Sequence, residues 1–355
     1  MTDTLDIKIT RTTRSRLEET DFSNLVFGRT FSDHMLVADY SDGEWKNFEI
    51  VPYGEIAVSP GISALHYGQS FFEGIKAYKH ADGKVSIFRP DKNAVRFNKS
   101  AERLCMPAIP EDVFLQSLAA IVDIDRDWIP GAPGHSLYIR PFMFATDQYL
   151  GVAPSKTYKY MVLLCPVGPY FTKPLRVKIE THYTRSAEGG MGYAKSSGNY
   201  GGSMFPAKKA TEEGFDQLIW TDAKEHKYIE EMGAANAMFV IDGKVVTPPA
   251  LDTILDGVTR DTVIQLAKDF GIPVEVRKVS VDELVETAKN GKLTDAFGAG
   301  TAATIAPVGS INLNGEEYTL IDPDKREFSK KILKTLDAIR YGNTPDVHGW
   351  NYVID

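Results

Sequence analysis

The 355-residue sequence has little cysteine, scattered histidine and no long apolar run. Its two cysteines, Cys105 and Cys165, are too few for a disulfide framework, and none of its seven histidines has the close spacing of a helical zinc site. We therefore expect no metal. A net charge of −8 without a Lys/Arg cluster argues against a nucleic-acid partner. The sequence shows neither a membrane span nor a signal peptide at its start, which favours a cytoplasmic protein.

The length of the chain predicts about two domains. Residues 166–174 (PVGPYFTKP) contain three prolines and a glycine, a composition unsuited to a helix interior or a central strand. We therefore expect a smaller α/β domain at residues 1–170, a linker at 171–177 and a larger domain at 178–355. An ordinary rigid surface loop is the alternative interpretation of the proline-rich stretch.

Strand-like and helical patterns alternate in the first half of the chain. Strands are predicted at Leu5–Ile9, Ser136–Arg140 and Tyr160–Leu164, and apolar residues at helical spacing predict a helix over Val113–Asp123.

Consecutive strands with tight turns dominate the second half. They are predicted at Gln217–Thr221, Lys227–Glu231, Ala237–Ile241 and Lys244–Val246, and Asp242-Gly243 is a hairpin signal. This order predicts an antiparallel meander rather than a doubly wound parallel sheet. Helices follow, one ending at Gly271 and one opening with a capping box at Ser280 and Glu283 and ending at Gly291. The fold class is therefore α+β, with mixed, largely antiparallel sheets.

Four local features could carry chemistry. Residues 188–202 (EGGMGYAKSSGNYGG) surround Lys195 with glycines, which let the backbone approach a ligand closely. A lysine amine in a desolvated site can act as a nucleophile. A flexible surface loop with a solvated lysine is the alternative.

The second feature is a pair of carboxylates, Glu230 and Glu231, at the end of a strand. Side-chain alternation places them on opposite faces, so at most one is expected to face a pocket, and the strand pattern leaves open which one.

The third and fourth features are candidate anion sites. Residues 257–262 (GVTRDT) open a helix whose N-terminus can bind an anion, although simple N-capping is the alternative. Residues 297–303 (FGAGTAA) form a glycine-rich turn that lacks the third glycine of a dinucleotide loop and could present backbone donors and a hydroxyl. A lysine, a carboxylate and two anion sites together are what pyridoxal 5′-phosphate requires.

At these residues the sequence resembles the fold-type IV pyridoxal-phosphate enzymes, and specifically the branched-chain amino acid aminotransferases. The segments that carry the resemblance run in collinear order from about Leu25 to near Gly342. They are LVFGRTFSDHML, LHYGQSFFEGIKAY, SLYIRPF, CPVGPYF, AKSSGNYGGSMF, IEEMGAANAMF, LDGVTRDTV and FGAGTAATIAPV. The resemblance implies a two-domain, D-amino acid aminotransferase-like fold.

The resemblance also implies roles for individual residues. Lys195 would be the Schiff-base lysine, Tyr200 would lie beside the cofactor ring oxygen, and Glu231 rather than Glu230 would pair with the pyridine nitrogen. The residues implied to bind phosphate are Arg96, Val258, Thr259 and Thr301. Those implied to bind substrate are Phe27, Tyr67, Phe72, Tyr138, Arg140, Thr301 and Ala302. Arg140 would take the second carboxylate of 2-oxoglutarate or glutamate, although a structural salt bridge is an alternative role. Ala234 stands where relatives often have threonine.

The implied reaction is transamination of the branched-chain L-amino acids leucine, isoleucine and valine with 2-oxoglutarate, giving branched 2-oxo acids and glutamate. The rivals within the fold are D-amino acid aminotransferase and aminodeoxychorismate lyase. A non-catalytic protein that binds small anions is the alternative from another class. The resemblance further implies a homodimer.

Overall fold

The computed structural model describes residues 4–171, 173–233 and 235–354 and divides into two compact units. Unit 1 comprises Met1–Tyr170, Ala194–Gly198 and Asp337–Asp355, and unit 2 comprises Phe171–Tyr193 and Asn199–Leu336. Unit 1 thus collects three separate stretches of the sequence. The division expected from the sequence, with a linker at 171–177, stays a prediction.

Unit 1 contains a mixed sheet. Its strands are β1 (Lys8–Ile9), β2 (His34–Ser41), β3 (Glu44–Pro52), β4 (Ser70–Phe72), β5 (Ile75–Lys79), β6 (Val85–Phe88), β7 (Ser136–Ala145), β8 (Tyr158–Val167) and, late in the chain, β18 (Asn351–Ile354). They are arranged in the order β1-β3-β2-β8-β7-β5-β6-β18, and β4 pairs with β7. The pairing of β1 with β3 is parallel, and the other pairings are antiparallel.

Helices cover this sheet with regularly spaced apolar residues. They are α1 (Ser63–Tyr67), α2 (Pro90–Arg103) and α3 (Glu111–Ile124). In α3, Phe114, Leu118 and Ile121 recur every three or four residues and are fully buried in the core of unit 1. Burial of each such side chain stabilises the fold by about 1.5–3 kcal/mol. The predicted helix is confirmed by α3, and two of the predicted strands by β7 and β8, whereas the predicted strand at Leu5–Ile9 is reduced to the two residues of β1.

Pro166 corrects the expectation that the proline-rich stretch avoids a central strand. It lies inside β8, paired with Leu137 of β7. The pairing of β8 with β2 ends at Leu163, three residues before Pro166, so the missing N–H of Pro166 does not interrupt that pairing.

In unit 2, six strands form a closed ring of hydrogen-bonded neighbours within a nine-stranded sheet. The strands are β9 (Leu175–Ile179), β10 (Gln217–Thr221), β11 (Ile229–Met232), β12 (Ala235–Ile241), β13 (Lys244–Thr247), β14 (Val274–Val276), β15 (Leu293–Gly300), β16 (Thr304–Leu313) and β17 (Glu316–Thr319). Their order is β11-β10-β9-β16-β15-β12-β13-β14, with β17 on β16, and β11 also pairs with β12. The ring β11-β10-β9-β16-β15-β12 therefore has no open edge, and it brings the end of β11 beside the start of β12.

The predicted antiparallel meander is confirmed over β10 to β13. Asp242 and Gly243 both have positive φ, as a type I′ hairpin turn requires. Parallel pairings, whose positions the sequence did not specify, join β9 to β10 and to β16, and β13 to β14. The α+β class with mixed, largely antiparallel sheets is confirmed.

The remaining helices are α4 (Ser197–Glu212), α5 (Val258–Asp269), α6 (Val281–Lys289) and α7 (Phe328–Arg340). Gly271, at φ +70°, follows α5 as predicted. Ser280 caps α6 by accepting the Glu283 N–H at 3.0 Å, whereas the Glu283 carboxylate pairs with Arg277. Among the described residues, no helix combines the length and apolarity needed to cross a bilayer.

Candidate active site

Lys195 is held by its backbone within unit 1. Its N–H donates to Ser100 Oγ at 3.0 Å, and its carbonyl accepts the Phe72 N–H at 3.2 Å. The next residue, Ser196, forms a β-bridge with Phe71 in β4. The Nζ atom of Lys195 lies 5.1 Å from the centroid of the Phe72 ring. Lys195 is therefore half-buried and held by two backbone hydrogen bonds, which disagrees with the alternative of a solvated lysine in a surface loop.

The glycine-rich run around Lys195 is not a loop throughout. Its second part, residues 197–202, forms the start of α4. Before the lysine, Gly192 makes a close contact that a larger residue would block, because an added Cβ would lie 2.3 Å from the Thr253 carbonyl oxygen. Tyr200, in α4, is half-buried, and its carbonyl accepts the Ser203 hydroxyl at 2.9 Å.

Arg96 forms a buried, bidentate ion pair with Glu73. The distances from Nε to Oε1 and from Nη2 to Oε2 are both 2.7 Å. Burial acts to raise the pKa of Glu73, but Arg96, Lys195 and a hydrogen bond from Asn93 outweigh it and hold that pKa below its usual value. Sequence reasoning missed Glu73. Its only signal was its place in the FFEGIKAY segment, between an aromatic residue and a glycine.

Four of the residues implied to bind substrate contact one another in unit 1. The rings of Phe27 and Tyr138 meet edge-on at 4.9 Å between centroids. The Arg140 guanidinium lies 4.4 Å from the Phe72 ring centroid, and its Nη2 donates to the Tyr138 hydroxyl at 3.2 Å. The buried Nε of Arg140 has no hydrogen-bond partner among the described residues. Tyr67, at the end of α1, is 44% exposed and donates its hydroxyl to the Leu150 carbonyl.

Glu231 is a buried carboxylate in unit 2 with three neighbouring donors. Oε1 accepts hydrogen bonds from Asn236 Nδ2 and from the Leu255 N–H, each at 3.1 Å, and Oε2 pairs with Arg185. The Arg185 side chain also donates to the Thr253 carbonyl at 2.8 Å. Three donors fix both oxygens of this carboxylate. Sequence reasoning missed Arg185 and gave Asn236 no role, although Asn236 lies in the IEEMGAANAMF segment that carries the resemblance.

Glu230 has different surroundings from Glu231, as the alternation of the strand predicts. Only 7% of Glu230 is exposed, and its carboxylate lines a cavity together with Thr253 and Ile254. Both carboxylates are therefore buried, and each meets a different set of residues.

The N-terminus of α5 lies against the residue that holds Glu231. Gly257 is the N-cap residue of the helix and, as a glycine, makes no side-chain capping hydrogen bond. A Cβ at Gly257 would lie 1.8 Å from Asn236 Oδ1, so only glycine allows the chain to pass this close. Val258 and Thr259, the first residues of the helix, are buried. Asn236 thus links the Glu231 carboxylate with the start of α5.

The FGAG part of the fourth segment belongs to β15, and the turn itself is limited to residues 301–303. Thr301 and Ala302 lie in this turn and are half-buried. Ala234 lies outside the described residues. Within the described ranges, no group of three or more His, Cys, Asp or Glu residues is arranged to hold a metal ion.

Comparison with known proteins places these features in a family. The family described as amino-transferase class IV matches residues 70–311. Branched-chain-amino-acid transaminase 1 of Bacillus subtilis (strain 168) is 44% identical over 338 residues, which cover 94% of this chain and 95% of that protein.

Two solved structures resemble the fold. The branched-chain amino acid aminotransferase of Escherichia coli matches with a TM-score of 0.75 and 27% identity, covering 91% of this chain and 99% of that one. The T.th. branched-chain amino acid aminotransferase complexed with N-(5′-phosphopyridoxyl)-L-glutamate matches with a TM-score of 0.72 and 28% identity, covering 90% and 98%. The predicted fold-type IV aminotransferase fold is thereby confirmed, and the chain belongs to the amino-transferase class IV family, among its branched-chain-amino-acid aminotransferases.

Proposed function

We propose that this protein transfers the amino group of leucine, isoleucine or valine to 2-oxoglutarate, with pyridoxal 5′-phosphate as cofactor. The observation that carries the proposal is the 44% identity, over 94% of the chain, to the Bacillus subtilis branched-chain-amino-acid transaminase. The complex of the T.th. enzyme with N-(5′-phosphopyridoxyl)-L-glutamate supports both the cofactor and glutamate as the second amino acid.

The residues present in unit 2 fit a phosphorylated pyridine. Glu231 is a buried carboxylate fixed by Arg185, Asn236 and the Leu255 N–H, and it would accept a hydrogen bond from the pyridine nitrogen. The N-terminus of α5 at Val258 and Thr259 would donate backbone N–H groups to the phosphate, and the Thr259 hydroxyl would add another donor. The turn at Thr301 would supply further donors.

Two residues of unit 1 suit the covalent link and the positive charge that the resemblance implies. Lys195, fixed by Ser100 and Phe72, would bond to the aldehyde carbon of the cofactor. Arg96 would contribute its charge to phosphate binding, and Glu73 would orient its guanidinium through their two hydrogen bonds. When bound, pyridoxal phosphate supplies an electron sink for negative charge at the substrate Cα.

Lys195 would also move the proton. When its amine is free, Lys195 would take a proton from the substrate Cα as a general base and later return a proton as a general acid. The cation–aromatic distance of 5.1 Å between Nζ and Phe72 shows that the amine lies beside an aromatic face. Phe72 would therefore restrict where the amine reaches.

The aromatic contacts in unit 1 suit an apolar side chain. Phe27, Phe72 and Tyr138 present rings, whereas Arg140 adds a cation stacked on Phe72. A branched aliphatic side chain would contact the rings, and the second carboxylate of glutamate or 2-oxoglutarate would pair with Arg140. One set of residues would thus accept both substrates of the two half-reactions.

The test is the absorption spectrum of the purified holoenzyme, recorded with L-leucine and with D-alanine. We expect L-leucine, and not D-alanine, to shift the cofactor band, and the Lys195→Ala variant to lose both the band and turnover. A shift with D-alanine alone would favour the D-amino acid aminotransferase alternative. Pyruvate release without an amino acceptor, from aminodeoxychorismate, would favour the lyase. The absence of any shift with either amino acid would favour the non-catalytic anion-binding protein.

The resemblance also supports a homodimer, which we include in the proposal. Light scattering of the purified protein should give twice the mass of one chain, and a mass equal to one chain would contradict it.

A further inference from the structure

A cavity lies within unit 2, lined in part by Ile229 and Glu230 of β11, the strand that also carries Glu231. Its volume is about 580 Å³, large enough for a small organic molecule. Apolar residues line one part of it, among them Pro248, Leu251 and Ile254, and Leu251 is 62% exposed. Glu231 does not line this cavity, but its neighbour Glu230 does.

Glu230 has one oxygen without a partner. Its Oε2 atom is buried and accepts no hydrogen bond within the described part of the chain. The Glu230 carboxylate also has a hydrogen bond with the Thr253 side chain, and Thr253 lines the same cavity. A buried carboxylate oxygen left unpaired costs free energy, and a ligand with an N–H donor would remove that cost.

Burial raises the pKa of Glu230, and the nearby Glu231 and Asp222 act in the same direction. The hydrogen bond with Thr253 and the charge of Arg185 act in the opposite direction. Arg185 already pairs with Glu231, so its charge is shared between two carboxylates. A further cation would be stabilised beside Glu230.

The charges around the cavity have the sign that a cation requires. Its acidic lining residues are Glu188, Asp222, Glu225, Glu230 and Asp252, against the two lysines Lys224 and Lys278. The Asp222 carboxylate is occupied by backbone donors, including the Tyr228 N–H at 2.7 Å. Glu225 and Glu188 are exposed, so they add negative potential near the cavity.

We propose that this cavity binds a small organic cation of the guanidinium or ammonium type, with Glu230 as its anionic partner and Pro248, Leu251 and Ile254 in contact with its apolar part. The site is separate from the residues proposed for transamination and does not depend on that function. An alkylguanidinium ion matches it well, since its planar N–H groups can pair with a carboxylate.

The test is isothermal titration calorimetry of the holoenzyme with N-butylguanidinium chloride, which has no primary amine to react with a carbonyl cofactor. N-butylurea, which has the same shape without the charge, is the control ligand. We expect saturable binding of the guanidinium with a stoichiometry of one per chain, and binding of the urea weaker by about tenfold or more. Equal binding of the two would overturn the proposal.

Variants locate the bound cation. Glu230→Gln keeps the size of the side chain and should weaken guanidinium binding by about tenfold or more, whereas Glu225→Gln, at an exposed lining position, should change it by less than about threefold. If Glu230→Gln does not fold, Leu251→Lys places a positive charge at an exposed lining position and should weaken binding in the same direction. Unchanged affinity in Leu251→Lys and in any folded Glu230→Gln protein would contradict the proposal.

A last control separates this inference from the proposed function. Guanidinium affinity in Lys195→Ala should equal that of the unmodified chain, because the cavity contains none of the residues proposed for transamination. Loss of binding in that variant would place the guanidinium at the proposed active site and overturn the inference.

Discussion

Arg96 and Glu73 form a bidentate ion pair in which both nitrogen–oxygen distances are 2.7 Å and both side chains are buried. Asn93 donates a further hydrogen bond to the same carboxylate at 2.8 Å. Arg96, which the resemblance implies as a phosphate ligand, is therefore already bound to a carboxylate of its own unit. Its position is set by Glu73, and the pair belongs to the structure of unit 1 as well as to any ligand site.

Glu73→Gln should destabilise the protein by about 3–5 kcal/mol, because it leaves the Arg96 charge buried without its anionic partner. The pKa of Glu73 in the folded protein lies below its ordinary value. The ion pair therefore stabilises the fold fully at pH values above the ordinary pKa of a glutamate, and this stabilisation is lost as the pH falls through the lower, folded-state pKa. Chemical denaturation at pH 7 and at acidic pH would measure both effects.

The control for this variant is Glu19→Gln, which removes a carboxylate from an exposed pair with Arg14. It should change stability by less than about 1 kcal/mol. Equal losses of stability in the two variants would contradict the prediction, and so would a Glu73→Gln protein whose stability depends on acidic pH as that of the unmodified protein does. Either result would show that the buried pair contributes no more to stability than the exposed one.

The sequence predicted those parts of the fold that depend on local patterns. The spacing of Phe114, Leu118 and Ile121 defines α3, and the sequence Asp242-Gly243 defines a hairpin, because each signal acts within a few residues. The pairing of β18 with β6 and the pairing of β9 with β16 were not predicted. Such pairings depend on contacts between distant stretches of chain, which no local pattern specifies.

Some residues of the candidate site could likewise be found from the sequence, whereas others could be found only from the structure. Lys195 and Glu231 stood out because their residue types suit the chemistry and because their segments resemble a family. Glu73, Arg185 and Asn236 did not stand out, since their importance comes from what they contact. A buried arginine and a solvated one have the same sequence signature, and only the structure shows that Arg185 pairs with Glu231.

Arg140→Ala should separate the two half-reactions if Arg140 binds the second carboxylate of glutamate. A charge-assisted hydrogen bond is worth about 1.5–3 kcal/mol, so the KM for 2-oxoglutarate should rise roughly 10- to 100-fold. The kcat/KM of the half-reaction with L-leucine should change less, because leucine has no second carboxylate. Steady-state kinetics and single half-reactions measure both. Equal losses for the two substrates would instead favour a structural role, through the stacking of Arg140 on Phe72.

Lys76 should make stability depend on pH above neutrality. Burial, assisted by the charge of Arg340 and opposed by that of Asp337, lowers the pKa of Lys76 from 10.5 to about 7. Between these two values the unfolded chain binds a proton that the folded chain does not, so stability should rise with pH by up to about 1.4 kcal/mol per pH unit. Lys76→Met should remove this rise and stabilise the protein most at neutral pH.

Lys79→Met is the matched control, because Lys79 lies on the same strand and is exposed. Denaturation midpoints measured from pH 7 to 10 should keep their slope in this variant. The prediction fails if Lys76→Met and Lys79→Met show the same slope.

Gly257→Ala should disturb the link between α5 and Glu231. The new Cβ would lie 1.8 Å from Asn236 Oδ1. Asn236 cannot move away easily, since its Nδ2 donates both to Glu231 at 3.1 Å and to the Leu255 carbonyl at 2.8 Å. Overpacking of this kind costs about 1–3 kcal/mol. The dissociation constant of pyridoxal phosphate should therefore rise in cofactor titrations, provided that Asn236 positions both Glu231 and the start of α5.

Gly131→Ala is the control: it adds a methyl group where no atom lies within 4 Å, so it should leave both stability and cofactor affinity unchanged. A Gly257→Ala protein that loses stability but keeps its cofactor affinity would show that this contact supports the fold without positioning the binding groups.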